Sequence, residues 1–358
     1  MGLAAVRDLR ELRSPVTGEE LADYETDLLA GFVLARASAG LADSTIRNDT
    51  NHLELIRDWF GCPLWEMQPA DADAYFGKAL REARPATRAG RASALAVFFE
   101  FLELRYKVEL HNLTGRVVEC PLDEMNRPRA SVDPQLRVPP TEAEIGQLFA
   151  GWREELVSCR KFAPAARNYA VARLASDVGL RINEARMLDL DDVRWELGRF
   201  GKLTVRHGKG SRRRGPKPRL VPLINGAERN LRWFIEDVWG QFDLDHTRSG
   251  APLFPSERKN ADGSSTRATA EVFRRSLAEV TATHLPSWAG KLTPHVLRHY
   301  CASQLYRGGM SLFAIQELLG HAWTGTTTRY IHVQSSHIED AWTSGQHRAG
   351  DRWKGLVR

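Results

Sequence analysis

A predicted helix start and two reactive side chains share the stretch Thr293-Pro294-His295-Val296-Leu297-Arg298-His299. Thr293 and Pro294 form an N-cap and N1 pair, which predicts that a helix begins here. His295 and Arg298 are three positions apart, so both lie on the same face of that helix. An HxxR pair is common, and taken alone it fits a surface pair or a capped histidine as well as it fits a functional site.

The significance of this stretch depends on motifs elsewhere in the chain. Upstream, Gly179-Leu180-Arg181 is followed by Glu184, and Lys209 lies between two glycines. Downstream, Leu319-Gly320-His321 is followed nine positions later by Tyr330. For Tyr330 considered by itself, a half-buried tyrosine with a satisfied hydroxyl would be the better interpretation. The order and spacing of all the motifs together therefore carry the argument.

A block of basic residues surrounds Lys209. Between Leu197 and Ala227 the sequence has nine Lys and Arg residues and no acidic residue, although the net charge of the whole chain is only +5. So many cations beside short strands would repel one another unless a polyanion were near, which favours a phosphate backbone over a solvated basic surface. The residues of this basic block that we expect to contact DNA are Arg206, Arg212, Arg213, Arg214, Lys217 and Arg219.

Taken in order along the chain, these motifs resemble those of the tyrosine recombinase (phage integrase) family. The matching pieces span most of residues 141–333. They are Gly179-Leu180-Arg181 with Glu184, the Gly208-Lys209-Gly210 turn leading to Arg219-Leu220-Val221-Pro222-Leu223, the segment Thr293 to His299, Leu319-Gly320-His321, and Thr327 to Val333. The resemblance implies a mainly α fold with a small antiparallel β-sheet, built from a helical core-binding domain and a catalytic domain.

Phosphoryl transfer chemistry agrees with this resemblance. A tyrosine hydroxyl can attack phosphorus and later be displaced by a DNA hydroxyl, which conserves the energy of the phosphodiester bond. Tyr330 is the candidate nucleophile. Planar guanidiniums suit the extra negative charge on the non-bridging oxygens of the transition state, and this task falls to Arg181 and Arg298. We expect Glu184 to orient Arg181.

The leaving 5′ oxygen requires a proton, which a lysine on a hairpin can supply as general acid. Lys209 is the candidate for this role. The run after Gly210 is longer than is usual in this hairpin of the family, and Lys217 is the alternative acid. His295 and His321 are expected to hydrogen-bond the phosphate or to help move the tyrosine proton, and the sequence leaves the division of these two roles open.

Helical patterns dominate the rest of the chain. Thr141 and Glu144 form a predicted capping box, and Ser311 precedes another helix. Helical signals also run from Arg267 to Thr283, and three short strands are predicted around Val193, Leu203 and Val221. Near the N-terminus, a helix after Pro85 presents a row of arginines, which we assign to phosphate contacts; this row is Arg84, Arg88 and Arg91.

The length of 358 residues corresponds to about two domains at roughly 150 residues each. Five prolines fall among polar residues between positions 119 and 140 without sustained periodicity, which is typical of a linker. The sequence therefore predicts a DNA-binding helical domain at residues 1–118, a linker at 119–140, and a catalytic domain with a C-terminal tail at 141–358.

Other classes of function find little support. Asp189, Asp191 and Asp192 form the nearest carboxylate cluster, but no histidine or further acid joins it at ligand-like spacing, so a turn and cap cluster is favoured over a metal site. The chain contains no GxxxxGK[ST] motif for ATP. We expect no metal and no other cofactor.

Compartment follows from charge and cysteine spacing. The longest apolar run has eight residues, far fewer than the roughly 20 that cross a bilayer. Charged residues occupy the N-terminus where a signal peptide would be apolar. The four cysteines lie tens of residues apart, which is typical of reduced thiols in the cytoplasm.

The function expected from the resemblance is site-specific DNA recombination. Four protomers would assemble on two double-stranded DNA sites, cut strands through a 3′-phosphotyrosine and exchange them through a Holliday junction. Integration, excision or transposition of a mobile element is the favoured role, with Xer-like resolution of chromosome dimers as an alternative. A non-catalytic DNA-binding protein of the same fold and a type IB topoisomerase-like enzyme are the other classes.

Overall fold

The computed structural model describes residues 18–128, 138–207 and 218–320, apart from short gaps at 243–244, 246, 260–262 and 264. Contacts divide the chain into two compact units, Met1–Pro134 and Gln135–Arg358. Within the described residues, no helix is both long and apolar enough to span a membrane.

The N-terminal unit is helical. Its helices are α1 (Gly18–Ser38), α2 (Asp43–Phe60), α3 (Pro69–Ala74), α4 (Pro85–Arg105) and α5 (Lys107–Thr114). Helix α4 was predicted to follow Pro85, and Pro85 is its first residue. The C-cap of α2 is Gly61, whose φ of 76° is accessible to glycine at little cost.

Aromatic side chains build the core of this unit. Phe98 on α4 meets Phe32 on α1 edge to face, with ring centroids 5.4 Å apart. Val118 and Leu122 are also buried in this core. The N-terminal unit thus includes Leu122, which lies four residues beyond the predicted end of the helical domain.

In the described part of the C-terminal unit, seven α-helices make up most of the structure. They are α6 (Glu142–Ser158), α7 (Phe162–Asp177), α8 (Ile182–Arg186), α9 (Ala227–Trp233), α10 (Ala270–His284), α11 (Pro294–Arg307) and α12 (Leu312–Leu319). The predicted capping box at α6 is confirmed: the Glu144 amide donates to Thr141 Oγ1 at 3.2 Å, and the Thr141 amide donates to Glu144 Oε2 at 2.7 Å. The predicted caps at Thr293 and Ser311 are confirmed as well.

The predicted small sheet is confirmed. Strands β1 (Val193–Arg194), β2 (Lys202–Val205) and β3 (Arg219–Pro222) pair antiparallel in the order β1-β2-β3. A separate hairpin joins β4 (Pro255–Lys259) to β5 (Ser265–Arg267). Arg267 therefore lies in a strand, and the helix predicted to begin there starts at Ala270.

Helix α7 is the centre of the C-terminal core. Every residue from Ala166 to Asp177 except Arg173 is buried, and α6, α10 and α11 pack around the helix. Because α7 is enclosed, its C-terminal end is held firmly in place. Beyond this end the chain turns at Gly179, and Arg181 follows at the N-cap of α8.

Candidate active site

The structure describes some of the predicted catalytic residues and not others. Arg181, Glu184, His295 and Arg298 belong to the described part of the C-terminal unit. Outside the described residues lie Lys209, Arg212, Arg213, Arg214, Lys217, His321 and Tyr330.

The carboxylate of Glu184 lies at the centre of the described cluster. Its side chain is only 2% exposed. Arg181 Nη1 donates to Glu184 Oε1 at 2.6 Å, and the Arg181 amide donates to Oε2 at 2.9 Å. Arg298 Nη1 lies 3.8 Å from Oε2. The structure thus brings Arg181 and Arg298 together around one buried acid, and Glu184 bonds to Arg181, the residue that it is expected to orient.

A third arginine completes the shell of Glu184. Arg219 Nη1 donates to Oε1 at 3.0 Å and Nη2 donates to Oε2 at 2.8 Å, a paired geometry that matches guanidinium to carboxylate. Burial acts to raise the pKa of Glu184, but the bonds and charges of Arg219 and Arg181 outweigh it, so this pKa lies below its usual value. Glu184 is therefore a carboxylate at neutral pH.

All three guanidiniums also contact the end of α12. Arg298 Nη2 donates to the Leu319 carbonyl at 2.7 Å, and Arg181 Nη2 donates to the Gly320 carbonyl at 3.4 Å. Arg219 Nε donates to the Leu318 carbonyl at 3.0 Å. The last carbonyls of a helix have no partner within it, and these guanidiniums supply one. The turn formed by residues 318–320, which directly precedes His321 in the sequence, is therefore tied to the arginine cluster.

Two glycines permit this close packing. Gly179 has a φ of 69°, and a Cβ there would collide with the Leu319 side chain. Its carbonyl accepts a hydrogen bond from Arg298 Nη1 at 2.5 Å. Gly320 has a φ of 64°, and a Cβ there would approach Arg219 Nη1 to 2.9 Å. Both positions combine a left-handed backbone with a lack of space, which only glycine satisfies.

His295 lies in the first turn of α11, one turn before Arg298, as the sequence predicted. It is exposed, whereas Arg298 is 1% exposed. The His295 ring meets the His299 ring at 89°, with centroids 4.9 Å apart. Thr293 fixes the start of the helix, because its Oγ1 accepts from the Val296 amide at 3.3 Å. The same helix therefore presents one accessible imidazole and one enclosed guanidinium.

Arg206 lies in a separate ionic network. Its guanidinium bonds to Asp189 and, at 2.7 Å, to Asp192 Oδ2. Arg267 also pairs with Asp189. The Asp189 amide donates to Asp192 Oδ2 at 2.9 Å, as expected of the predicted cap cluster. Among the described residues, no group of three or more His, Cys, Asp or Glu side chains is arranged to hold a metal ion.

The structure places Arg206 and Arg219, both expected to contact DNA, against carboxylates of their own unit. Arg219 is 7% exposed and pairs with Glu184. Sequence order concealed these pairs, since Glu184 is 35 positions from Arg219 and Asp192 is 14 positions from Arg206. The motif Arg219-Leu220-Val221 pointed to the segment, but not to the partner.

The arginine row of the N-terminal unit shows graded exposure. Arg84 is exposed at the N-cap of α4, and Arg88 is partly buried. Arg91 bonds to the Tyr75 hydroxyl and lies 5.8 Å from the centroid of its ring. Arg84 is therefore the most accessible of the three cations.

Comparison with known proteins extends this picture. Tyrosine recombinase XerD of Rhizobium meliloti (strain 1021) is 28% identical over 325 residues, covering 88% of this chain and 94% of that protein. Tyrosine recombinase XerC of Pelobacter propionicus is 26% identical over 336 residues, covering 92% and 89% of the two chains.

Solved structures share the fold. The Tn1549 transposon integrase in complex with a circular intermediate DNA has a TM-score of 0.61 at 17% identity, covering 89% of this chain and 98% of that one. The XerH site-specific recombinase bound to palindromic difH substrate has a TM-score of 0.60 at 18% identity, covering 94% and 98%. Both likenesses support the mainly helical architecture with a small sheet.

The family model described as the phage integrase family matches residues 148–337, which is more than half of the chain. This range includes Arg181, Glu184, Arg298 and the segments that carry Lys209 and Tyr330. The chain therefore belongs to the phage integrase family of tyrosine recombinases.

Proposed function

We propose that this chain is a site-specific DNA recombinase that cuts and rejoins strands through Tyr330. The observation that carries the proposal is the convergence of Arg181 and Arg298 on the buried carboxylate of Glu184 and on the Leu319 carbonyl. Two guanidiniums held in this way provide preorganised donors for a phosphate whose negative charge grows in the transition state.

The proposed cleavage step has a simple balance of atoms. Tyr330 Oη loses its proton and forms a bond to phosphorus, the bond from phosphorus to the 5′ oxygen breaks, and the product is a 3′-phosphotyrosine. Lys209 gives a proton to the departing 5′ oxygen, with Lys217 as the alternative donor. In rejoining, a 5′ hydroxyl attacks the phosphotyrosine and returns its proton to the lysine amine, and the tyrosine oxygen leaves and takes up a proton. The step consumes no external energy and needs neither a metal nor a nucleotide.

The histidines would serve the same phosphate. His295 is exposed at the start of α11, where an imidazole can hydrogen-bond a phosphate oxygen or relay the tyrosine proton. His321 follows directly after the turn that the arginines hold. This adjacency supports a shared site for His321 and the two arginines.

The proposed partners are two double-stranded DNA sites and three further copies of the chain in a cytoplasmic tetramer that acts through a Holliday junction. Arg84, Arg88 and Arg91 would contact phosphates from the helical domain. Relatives that match nearly the full length are named for XerC and XerD, and a structural neighbour is a transposon integrase. These names support mobile-element recombination and Xer-like dimer resolution as the two roles to be tested.

The chemistry is tested with nicked suicide DNA, in which the cleaved 5′ end diffuses away and the covalent adduct accumulates. A duplex library with a randomised site supplies the unknown target. We expect the wild-type chain to yield a protein–DNA adduct that survives denaturing electrophoresis and Tyr330→Phe to yield none. An adduct formed by Tyr330→Phe would show that another residue is the nucleophile.

The classes of function separate in a second assay. Captured sites are placed on two different DNA molecules, and joining of flanks from both molecules is measured beside relaxation of a supercoiled plasmid. We expect exchanged flanks. Relaxation without exchange would indicate a topoisomerase-like enzyme, and site binding without any adduct would indicate a non-catalytic DNA-binding protein.

A further inference from the structure

Arg219 makes more described contacts around the candidate site than its place in a basic block would suggest. It begins strand β3, directly after the segment that carries Lys209 and Lys217. Both terminal nitrogens bond to Glu184, and Nε bonds to the Leu318 carbonyl. With 7% exposure, its side chain has little surface to offer to DNA.

Arg219 and Arg181 share the carboxylate of Glu184. Each oxygen of Glu184 accepts bonds from both arginines, so Arg219 fixes the plane of the carboxylate against which Arg181 is aligned. Its third bond holds the last turn of α12, whose next carbonyl accepts from Arg298. The Arg219 side chain thus contacts Glu184, which bonds to Arg181, and also the turn at the end of α12, which bonds to Arg298.

We propose that Arg219 is a positioning residue that aligns Arg181 through Glu184 and holds the turn before His321. The proposal rests on the proposed recombinase chemistry, because the rate of that chemistry reports the alignment. In this role Arg219 acts through Glu184 and the turn, and the proposal requires no contact between Arg219 and a reacting atom.

The geometry requires a guanidinium at this position. Its planar fork donates two parallel bonds to the carboxylate while Nε donates a third in another direction. A lysine would retain the positive charge beside Glu184 but cannot reproduce this pattern. Arg219→Lys therefore separates the charge from the alignment, whereas Arg219→Gln removes both.

The charged groups described around Glu184 are Arg181, Arg219 and Arg298. Burial raises the pKa of Glu184, and Arg219 lowers it. Removal of Arg219 should therefore raise this pKa. A higher pKa means that the carboxylate takes up a proton at a higher pH. The protonated acid then pairs less strongly with the Arg181 guanidinium. The acid side of the cleavage profile should therefore move to higher pH in Arg219→Gln.

The experiment measures single-turnover adduct formation on nicked suicide DNA from about pH 5 to 9. We expect Arg219→Gln to slow cleavage by about 10- to 100-fold, with the acid side of its profile shifted upward. Arg219→Lys should be slowed by a similar factor with a smaller shift. Glu184→Gln has no carboxylate to titrate, so the acid side of its pH profile should show no upward shift. The double variant Arg219→Gln with Glu184→Gln should cleave no more slowly than the slower of the two single variants.

Arg167→Gln is the matched control for simple loss of structure. Arg167 is another buried arginine of the same unit, and it donates to the Pro255 carbonyl at 2.6 Å and to its neighbour Asn168. Thermal unfolding is compared for all variants. We expect Arg167→Gln to lower the melting temperature at least as much as Arg219→Gln without moving the pH profile.

Two results would overturn the proposal. One is wild-type cleavage and an unshifted profile in a folded Arg219→Gln protein. The other is additive loss in the double variant, since residues acting through one another should not add. Failure of the proposed function would look different, because the wild-type chain itself would then form no adduct. If Arg219→Gln fails to fold, Arg219→Lys supplies the rate comparison and the double-variant cycle with Glu184→Gln.

Discussion

Asp177 is a buried acid at the end of α7, two residues before Gly179. Its carboxylate is 7% exposed and pairs with Arg173 at 3.0 Å. Burial raises the pKa of Asp177 to about 7, against the lowering effect of Arg173. The folded chain therefore holds a proton here under conditions in which the unfolded chain has released it.

We expect Asp177→Asn to make stability less dependent on pH. An acid with a raised folded-state pKa stabilises the native state fully only below its unfolded-state pKa, and the cost of ionising it grows until the pH passes the folded value. Between about pH 4 and 8 this cost is at most about 4 kcal/mol in the wild type. Asparagine has no such cost, although it loses the ion pair with Arg173.

Urea unfolding of both proteins at several pH values provides the measurement. The difference in free energy of unfolding should move in favour of Asp177→Asn as the pH rises from 5 to 8. A difference that stays constant would mean that Asp177 titrates alike in the folded and unfolded chains.

At the residue scale, the sequence identified groups but not their neighbours. Arg181, Glu184 and Arg298 could be named from local motifs, and the contact between Arg181 and Glu184 was predictable because the two lie three positions apart on one helix start. Arg219 looked like one cation among nine. Its pairing depends on the approach of β3 to α8, which no local pattern encodes.

At the scale of single elements, predictions succeeded where the deciding interactions are local. The caps at Thr141, Thr293 and Ser311 involve residues three positions apart, so the sequence displays both partners. Arg267 was assigned to a helix, but pairing with Pro255 in β4 holds it in β5, and the local pattern does not show which segment is the strand partner. The same limit hid the β4–β5 hairpin.

The cap of α11 offers a prediction at this scale, with a matched control. Thr293 and Thr269 cap α11 and α10 in the same way, each accepting an amide bond at 3.3 and 3.4 Å respectively. Replacement of either by alanine should lower the free energy of unfolding by about 1 kcal/mol. Only Thr293→Ala disturbs the turn that carries His295 and leads to Arg298.

We therefore expect Thr293→Ala to reduce the cleavage rate about tenfold, and Thr269→Ala to leave it nearly unchanged. Chemical denaturation establishes that the two variants are equally destabilised, and suicide-substrate cleavage is then measured on both. Equal rates in the two variants would mean that the position of His295 does not depend on this cap.

At the scale of the whole molecule, carboxylates of the protein pair with some of the cations in the basic block. Two of its nine cations, Arg206 and Arg219, already face Asp192 and Glu184. A cation with a carboxylate partner has little counterion to release when DNA binds. The capacity to neutralise phosphate is therefore concentrated in the remaining members, including the run Arg212-Arg213-Arg214.

The salt dependence of DNA binding tests this distribution. The plot of log K against log salt has a negative slope, and each lost phosphate contact reduces the magnitude of that slope by about 0.9. The triple replacement of Arg212, Arg213 and Arg214 by glutamine should therefore reduce the magnitude by about 2.7. Arg206→Gln removes a cation that Asp189 and Asp192 already neutralise. In this variant the magnitude of the slope should therefore change by much less than the value for one phosphate contact. Fluorescence anisotropy of a labelled duplex from about 50 to 300 mM salt gives both slopes, with melting temperatures as the folding control. A full single-contact decrease in Arg206→Gln would mean that this guanidinium leaves its aspartates for DNA, and an unchanged slope in the triple variant would place the phosphate-binding surface elsewhere in the chain.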